Sequence, residues 1–330
     1  MTSAVPTKRR RIGSMELLIA TLLVLALAGS TLHAFVIGKP DLSAAGTVFL
    51  GVFVQALPFL GLGVVVSGLV AAFVSPDRLA RWLPRRPAAA ILVAGVGGAA
   101  LPGCECGSVP VARRLFGEGV VGAAALTFML AAPAINPVVL VATAVAFPGQ
   151  PMMVVARCVA SLVTAVVMGA VWQRFGRTEW ITRRLPQAHD ASESRWTVFG
   201  EAARHDFLQA SAYLVLGAAA AAALHVLVPA WIFEHLAGQL VLGIITMALL
   251  AVVLALCSEA DAFVAASLTM LPLLPRLVFL VVGPAVDLKL FAMQAGMFGR
   301  AFALRFAPTT FVVATVSATV VGLVLVGGAP

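Results

Sequence analysis

Apolar positions run along this chain in long blocks and do not alternate. Runs at 15–37, 46–74, 88–103, 119–147, 151–172, 207–228, 238–256, 260–275, 277–299 and 307–328 are separated by short polar or basic connectors. Most runs reach about 20 residues, the length of helix that crosses a bilayer. Strands of a membrane barrel would instead alternate in segments of about ten residues. The pattern therefore predicts an all-α, polytopic helical membrane protein with about 8–10 membrane segments.

Composition narrows the class further. The 330 residues are 61% hydrophobic and 11% charged, with a mean hydropathy of +1.04. A soluble domain carries about 25% charged residues, so this chain cannot cover a soluble surface of its own size. A soluble enzyme, a secreted disulfide scaffold and a disordered chain are excluded, and no nucleic-acid partner is expected. The net charge of +8 is informative only by position, because membrane proteins gather Lys and Arg on the cytoplasmic side.

The basic residues sit in particular connectors. Lys8 to Arg11 precede the first run, which reads as an uncleaved first helix or, with its small residues near Ala34, as a signal peptide. Residues 1–14 form a basic cytoplasmic tail on either reading. Arg78, Arg81, Arg85 and Arg86 fill the connector 75–87, Arg113 and Arg114 follow run 88–103, and residues 173–206 hold six arginines in the one substantial polar stretch. That stretch reads as a cytoplasmic linker between a first membrane half, 15–172, and a second, 207–330. If both 88–117 and 119–147 crossed, Arg113, Arg114 and the linker would all face outward, against the positive-inside rule. One of the two must fail to cross. A dip by 88–117 places all these arginines inside; a broken 119–147 rescues only the linker. Arg113 and Arg114 themselves read as interfacial anchors whose stems snorkel.

The second half repeats the first. Gln55-Ala-Leu-Pro-Phe-Leu-Gly-Leu-Gly63 matches Gln209-Ala-Ser-Ala-Tyr-Leu-Val-Leu-Gly217, Leu101 to Cys104 match the segment ending at Cys257, and Ala132-Pro133-Ala134-Ile135-Asn136 matches Gly283-Pro284-Ala285-Val286-Asp287. The offsets are 154, 153 and 151. The first repeat covers about 46–147. With the linker inside, the two repeats enter from opposite sides, so they are expected to be inverted, with broken or re-entrant helices meeting at the midplane as in secondary transporters.

The chemistry concentrates at the breaks. Leu101-Pro102-Gly103-Cys104-Glu105-Cys106-Gly107, followed by Pro110, cannot be the middle of a regular helix. In an irregular loop Cys104 and Cys106 can turn both thiols toward one ligand, and a two-fold relation brings Cys257 to Cys104. Soft thiolates select soft ions, but the spacing matches no zinc site, so no resident metal is expected. Glu105, Glu259, Asp261, Asp287 and Lys289 lie in apolar surroundings, where each is costly and marks a proton-coupling group or a structural ion pair. Pro133 and Pro137 flank Asn136, and Pro284 precedes Asp287; these are paired breaks whose polar side chains can meet a substrate. Gly61, Gly63 and Gly68 are read as close-packing positions, and Cys158 as packing in a plain helix.

These residues are familiar as a set. The stretch Leu101 to Arg113, with its Cys104-Glu105-Cys106-Gly107 and Pro110, then Pro133 to Pro137, then Leu256-Cys257-Ser258-Glu259-Ala260-Asp261, resemble a family of predicted bacterial permeases that includes the ArsP-type exporters of trivalent organoarsenicals. The resemblance covers about 45–310. It implies a multi-pass permease of the bacterial plasma membrane, N-terminus cytoplasmic, and thiol ligation of an arsenical by the residues matching Cys104, Cys106 and Cys257. The expected activity is export of a small thiophilic solute by alternating access, with a trivalent organoarsenical as the specific candidate. The rivals are a permease for another small solute, such as a sulfur compound, with incidental thiols, and a membrane thiol oxidoreductase. A transporter rather than an enzyme is expected, with no cofactor. Its partners would be the small-molecule substrate, the lipid bilayer and a second copy or a partner subunit. No phosphate-binding Gly-x-x-x-x-Gly-Lys-Ser/Thr occurs in the chain, so energy would come from an ion gradient or a separate subunit.

Overall fold

The computed structural model describes residues 40–73, 84, 86–100, 105–117, 120–181, 194–227, 240–268 and 271–326. Pro102, Gly103, Cys104, the run 15–37 and most of connector 75–87 lie outside the described residues. The described chain is helical: α1 (Pro40–Phe73), α2 (Pro87–Gly97), α3 (Glu105–Gly117), α4 (Gly122–Ile135), α5 (Pro137–Ala146), α6 (Pro151–Phe175), α7 (Arg195–Leu227), α8 (Leu240–Leu254), α9 (Ser258–Ser267), α10 (Leu273–Ala285), α11 (Leu288–Met297) and α12 (Arg300–Leu325). Two compact units divide the chain, 1–47 and 48–330. Of the first, the described part is the opening of α1, where Thr47 Oγ1 donates to Ser43 O at 2.9 Å. The remainder concerns the second.

Five described spans are long and apolar enough to cross a membrane: Ser43–Phe73, Gly122–Ala146, Pro151–Phe175, Leu273–Met297 and Arg300–Leu325. Two of these are broken in the middle. α4 gives way to α5 at Asn136, and α10 to α11 at Val286 and Asp287. Helices of 10–15 residues, such as α3, α5, α9 and α11, rise only about 15–22 Å, half to three-quarters of the hydrocarbon thickness. Their inner ends are tolerated because the full spans bury them.

Side-chain contacts set the directions. Gly95 of α2 faces Thr127 of α4 and Leu162 of α6, and Gly98, in the single turn after α2, faces Ala131. α2 thus runs along α4 in the same sense. α3 runs back: Ser108 Oγ donates to Met129 O at 3.0 Å, and Phe116 lies against Gly122 at the start of α4. The segment 87–117 therefore leaves at the end where it entered, as the charge pattern had favoured. That end is marked by Trp172, which packs edge-on to Phe116, Phe302 and Phe306. α10 starts at the other end of α12, where Leu274 and Leu277 face Gly322. α4 and α10 thus begin at opposite ends of the bundle.

Three expectations need adjusting. α7 starts at Arg195, so the last third of the expected linker 173–206 is helix. Arg113 and Arg114 do not snorkel: their side chains are 5% and 3% exposed, each 3.5 Å from an Asp206 oxygen. The reason is that α3 turns inward beside α7, and a buried carboxylate on α7 meets both guanidinium groups. Of the three glycines on α1, Gly63 abuts the backbone of Gly107 and Gly68 faces Phe199, whereas a Cβ on Gly61 would meet nothing.

Candidate functional site

Four half-helices begin inside the bundle: α3 at Glu105, α5 at Pro137, α9 at Ser258 and α11 at Leu288. Helix starts present free N–H groups and partial positive charge. The acids follow that field. Glu105 is in the first turn of α3, Glu259 and Asp261 are in the first turn of α9, and Asp287 caps α11.

The two breaks are built alike. Asn136 Oδ1 accepts from Val139 N at 3.0 Å and its Nδ2 donates to Ala132 O at 2.9 Å. Asp287 Oδ1 accepts from Leu290 N at 2.5 Å. Pro137 supplies the first residue of α5 without a wasted N–H. Pro133 and Pro284 occupy equivalent positions three residues before each cap.

Lys289 gathers the acids. Its Nζ forms an ion pair with Glu105 Oε1, stands 3.7 Å from Asp287 Oδ2 and donates to Leu256 O at 3.4 Å. All three charged side chains are at most 1% exposed. Ser258 Oγ reaches Glu105 Oε2 at 3.5 Å, which links α9 to α3. Cys106 and Cys257 are both buried in the one hydrophobic cluster that also holds Leu290 and Met293, and both lie within electrostatic reach of Lys289. Cys257 is the N-cap of α9. Gly107 follows Cys106 in α3, against Gly63, and Pro110 sits inside the same helix with its carbonyl 3.5 Å from Ser67 Oγ. Cys104, the third expected thiol, lies outside the described residues.

The sequence reading missed Arg157. It is wholly buried in α6, where it donates to Thr143 Oγ1 of α5 at 2.6 Å and to Ser258 O of α9 at 2.8 Å. Asp261 and Glu259 are the acids within its electrostatic reach. Asp261 is buried, its Oδ2 directed at Gly283. That oxygen and both oxygens of the half-buried Glu259 lack hydrogen-bond partners among the described residues. The centre therefore holds four acids against two bases. A single Arg in an otherwise apolar run was the available signal.

A second polar cluster closes the space between α3 and the Trp172 end. Arg113 donates to Gln209 Oε1 at 2.8 Å, Ser67 Oγ donates to Asp206 Oδ2 at 2.6 Å, and Gln209 Nε2 reaches Gly296 O at 3.4 Å. It ties α1, α3, α7 and α11 together. Cys158, half-buried and packed on the core cluster, takes no part in either group.

Comparison with known proteins gives a consistent class. A family profile described as "Predicted permease" matches residues 41–323. The chain is 32% identical over 284 residues to a "Putative two-component membrane permease complex subunit" of Streptococcus mutans, covering 84% of this chain and 94% of that protein. It is 34% identical over 288 residues to the "UPF0718 protein YcgR" of Bacillus subtilis, covering 86% of this chain and 96% of that one. No solved structure matches the chain.

Proposed function

We propose a cargo and a mechanism for this chain, which belongs to the predicted permease family that its residues 41–323 match. It is a multi-pass membrane permease. The cargo is a small thiophilic solute, with a trivalent organoarsenical as the specific candidate, exported across the bacterial plasma membrane. The observation that carries this reading is the pair of buried thiols, Cys106 and Cys257, at the starts of two half-helices from different halves of the chain. Cys104 is proposed as the third ligand. Cys106 and Cys257 would each exchange for one of the two hydroxyls of a monoorganic arsenical: an As–S bond forms, an As–O bond breaks, and the thiol proton leaves with the hydroxyl as water, while the Cys104 sulfur would approach the arsenic as a lone-pair donor with no bond broken. Thiolate and thioether donors suit soft centres of this kind.

Alternating access would rock one half against the other. The opposite starting ends of α4 and α10, and the matching caps Asn136 and Asp287, support an inverted relation between the halves. The Glu105–Lys289–Asp287 group is the proposed coupling element: a proton taken by either carboxylate would release Lys289 toward the other. The Trp172 end is taken as cytoplasmic, because Arg86, Arg174, Arg177, Arg300 and Arg305 flank the helix termini there. The named role of the streptococcal relative favours a further element, a partner subunit required for activity.

Growth of cells lacking arsenical exporters tests the cargo. Expression of the chain should protect against methylarsenite, and Cys106→Ser and Cys257→Ser should each abolish protection while the protein still reaches the membrane. Full protection by both variants would make the thiols incidental and return the cargo to another small solute. Labelling of a cysteine placed at 118 from the periplasmic side would reverse the proposed orientation.

A further inference from the structure

The aromatic corner at the Trp172 end does more than seal the helix bundle. A cavity of about 120 Å³ opens there between the C-terminal end of α6 and the first turns of α12. Met168, Trp172, Phe175, Trp180 and Phe306 form its walls, and Arg305 and Thr309 its polar edge. The guanidinium of Arg305 stacks over Trp180 at 4.6 Å, and that of Arg174 lies 6.0 Å from the Phe175 ring. Phe175 is 67% exposed although it ends a span of membrane-crossing length.

The charge at this corner is one-sided. Arg174 is in the last turn of α6 and Arg177 just beyond it, Arg300 and Arg305 open α12, and Glu179 is the one acid among the described residues 174–181. The helix ends place all of these at the level where a bilayer meets water, since α6 and α12 both match a membrane span. An aromatic wall with an apolar body suits the glycerol and upper acyl region of a lipid. Arginine offers a planar fork that matches a phosphate. Basic pockets between helices at a membrane surface recognise anionic headgroups on these terms.

We propose that this corner binds an anionic phospholipid, with its phosphate held by the arginines at the rim and its glycerol end against Trp172, Trp180 and Phe306. The site is separate from the thiol centre and does not depend on the cargo. The Arg305 head is held at the rim from two sides, stacked on Trp180 while its Nη1 donates to Ala301 O at 2.9 Å. The lipid would thereby clamp α6 to α12.

Native mass spectrometry of the full chain tests this, with phosphatidylglycerol and phosphatidylcholine offered in turn. The wild type should retain phosphatidylglycerol. Arg177→Ala with Arg305→Ala should weaken retention by about fivefold per arginine removed, and Trp180→Ala should weaken it without changing charge. Arg195→Ala with Arg204→Ala, on the exposed face of α7, is the control and should leave retention unchanged. Equal loss in the control would mean general surface charge and would overturn the proposal. So would equal retention of phosphatidylcholine, or displacement of the lipid by inorganic phosphate alone, which would make the corner a free-phosphate site. Unchanged melting of each variant in phosphatidylcholine shows that the fold survives.

Discussion

Asn136 and Asp287 sit at matching breaks and cap the following half-helix through the same bond, yet they finish differently. The amide of Asn136 spends its second polar atom on Ala132 O, so the first break is stitched to its own helix on both sides. The carboxylate of Asp287 cannot donate, and its second oxygen is turned toward Lys289. One break is closed by local hydrogen bonds; the other faces the charge of Lys289, two residues on in the half-helix it caps, which is itself paired with Glu105 of the distant α3. A neutral cap fixes an angle whatever happens nearby. A charged cap makes the angle depend on where Lys289 and Glu105 stand.

Removing the charge should have the largest effect. Lys289→Met leaves Glu105 and Asp287 buried with no cation, a loss of about 3–5 kcal/mol. The thermal midpoint of the solubilised protein should fall sharply, and an unchanged midpoint would mean that the second break is not electrostatic. Next comes Gly283→Ala. A Cβ there would stand 2.6 Å from Asp261 Oδ2, and overpacking of this kind costs about 1–3 kcal/mol. The matching position of the first half, Ala132, already carries a Cβ, so the asymmetry follows from Asp261 alone; Gly283→Ala should be relieved by Asp261→Ala in a double-mutant cycle. The smallest effect is expected from Asn136→Ala, which removes a local cap worth about 1 kcal/mol. A loss as large as that of Lys289→Met would erase the distinction between the breaks.

The same comparison explains what the sequence disclosed. Both breaks were legible, because Pro, Gly and a polar residue inside an apolar run are local signals with a local cause. The re-entrant course of 87–117 was legible as one of two solutions, since a count of arginines per connector limits which segments can cross. The partners were not legible. Nothing in the pattern told which of the four acids Lys289 would meet, and its ion pair with Glu105 joins positions 184 residues apart, a choice made by helix packing. Asp206 looked like one of many linker charges; only its place on α7, facing Arg113 and Arg114, distinguishes it. Arg157 was hidden by its surroundings, since the run containing it is apolar enough to read as a plain span.

The hairpin of α2 and α3 also bears on biogenesis. Its two arms are too short to cross, and a helix end carries backbone groups that lipid cannot satisfy. α1 is in place before it, against Gly107 and Pro110, but α4 and α6, which cover its other sides, are synthesised after it. A nascent chain ending near residue 117 therefore has no stable membrane-embedded place for this segment. The hairpin must wait at the bilayer surface, or beside the insertion machinery, until α4 and α6 emerge to receive it.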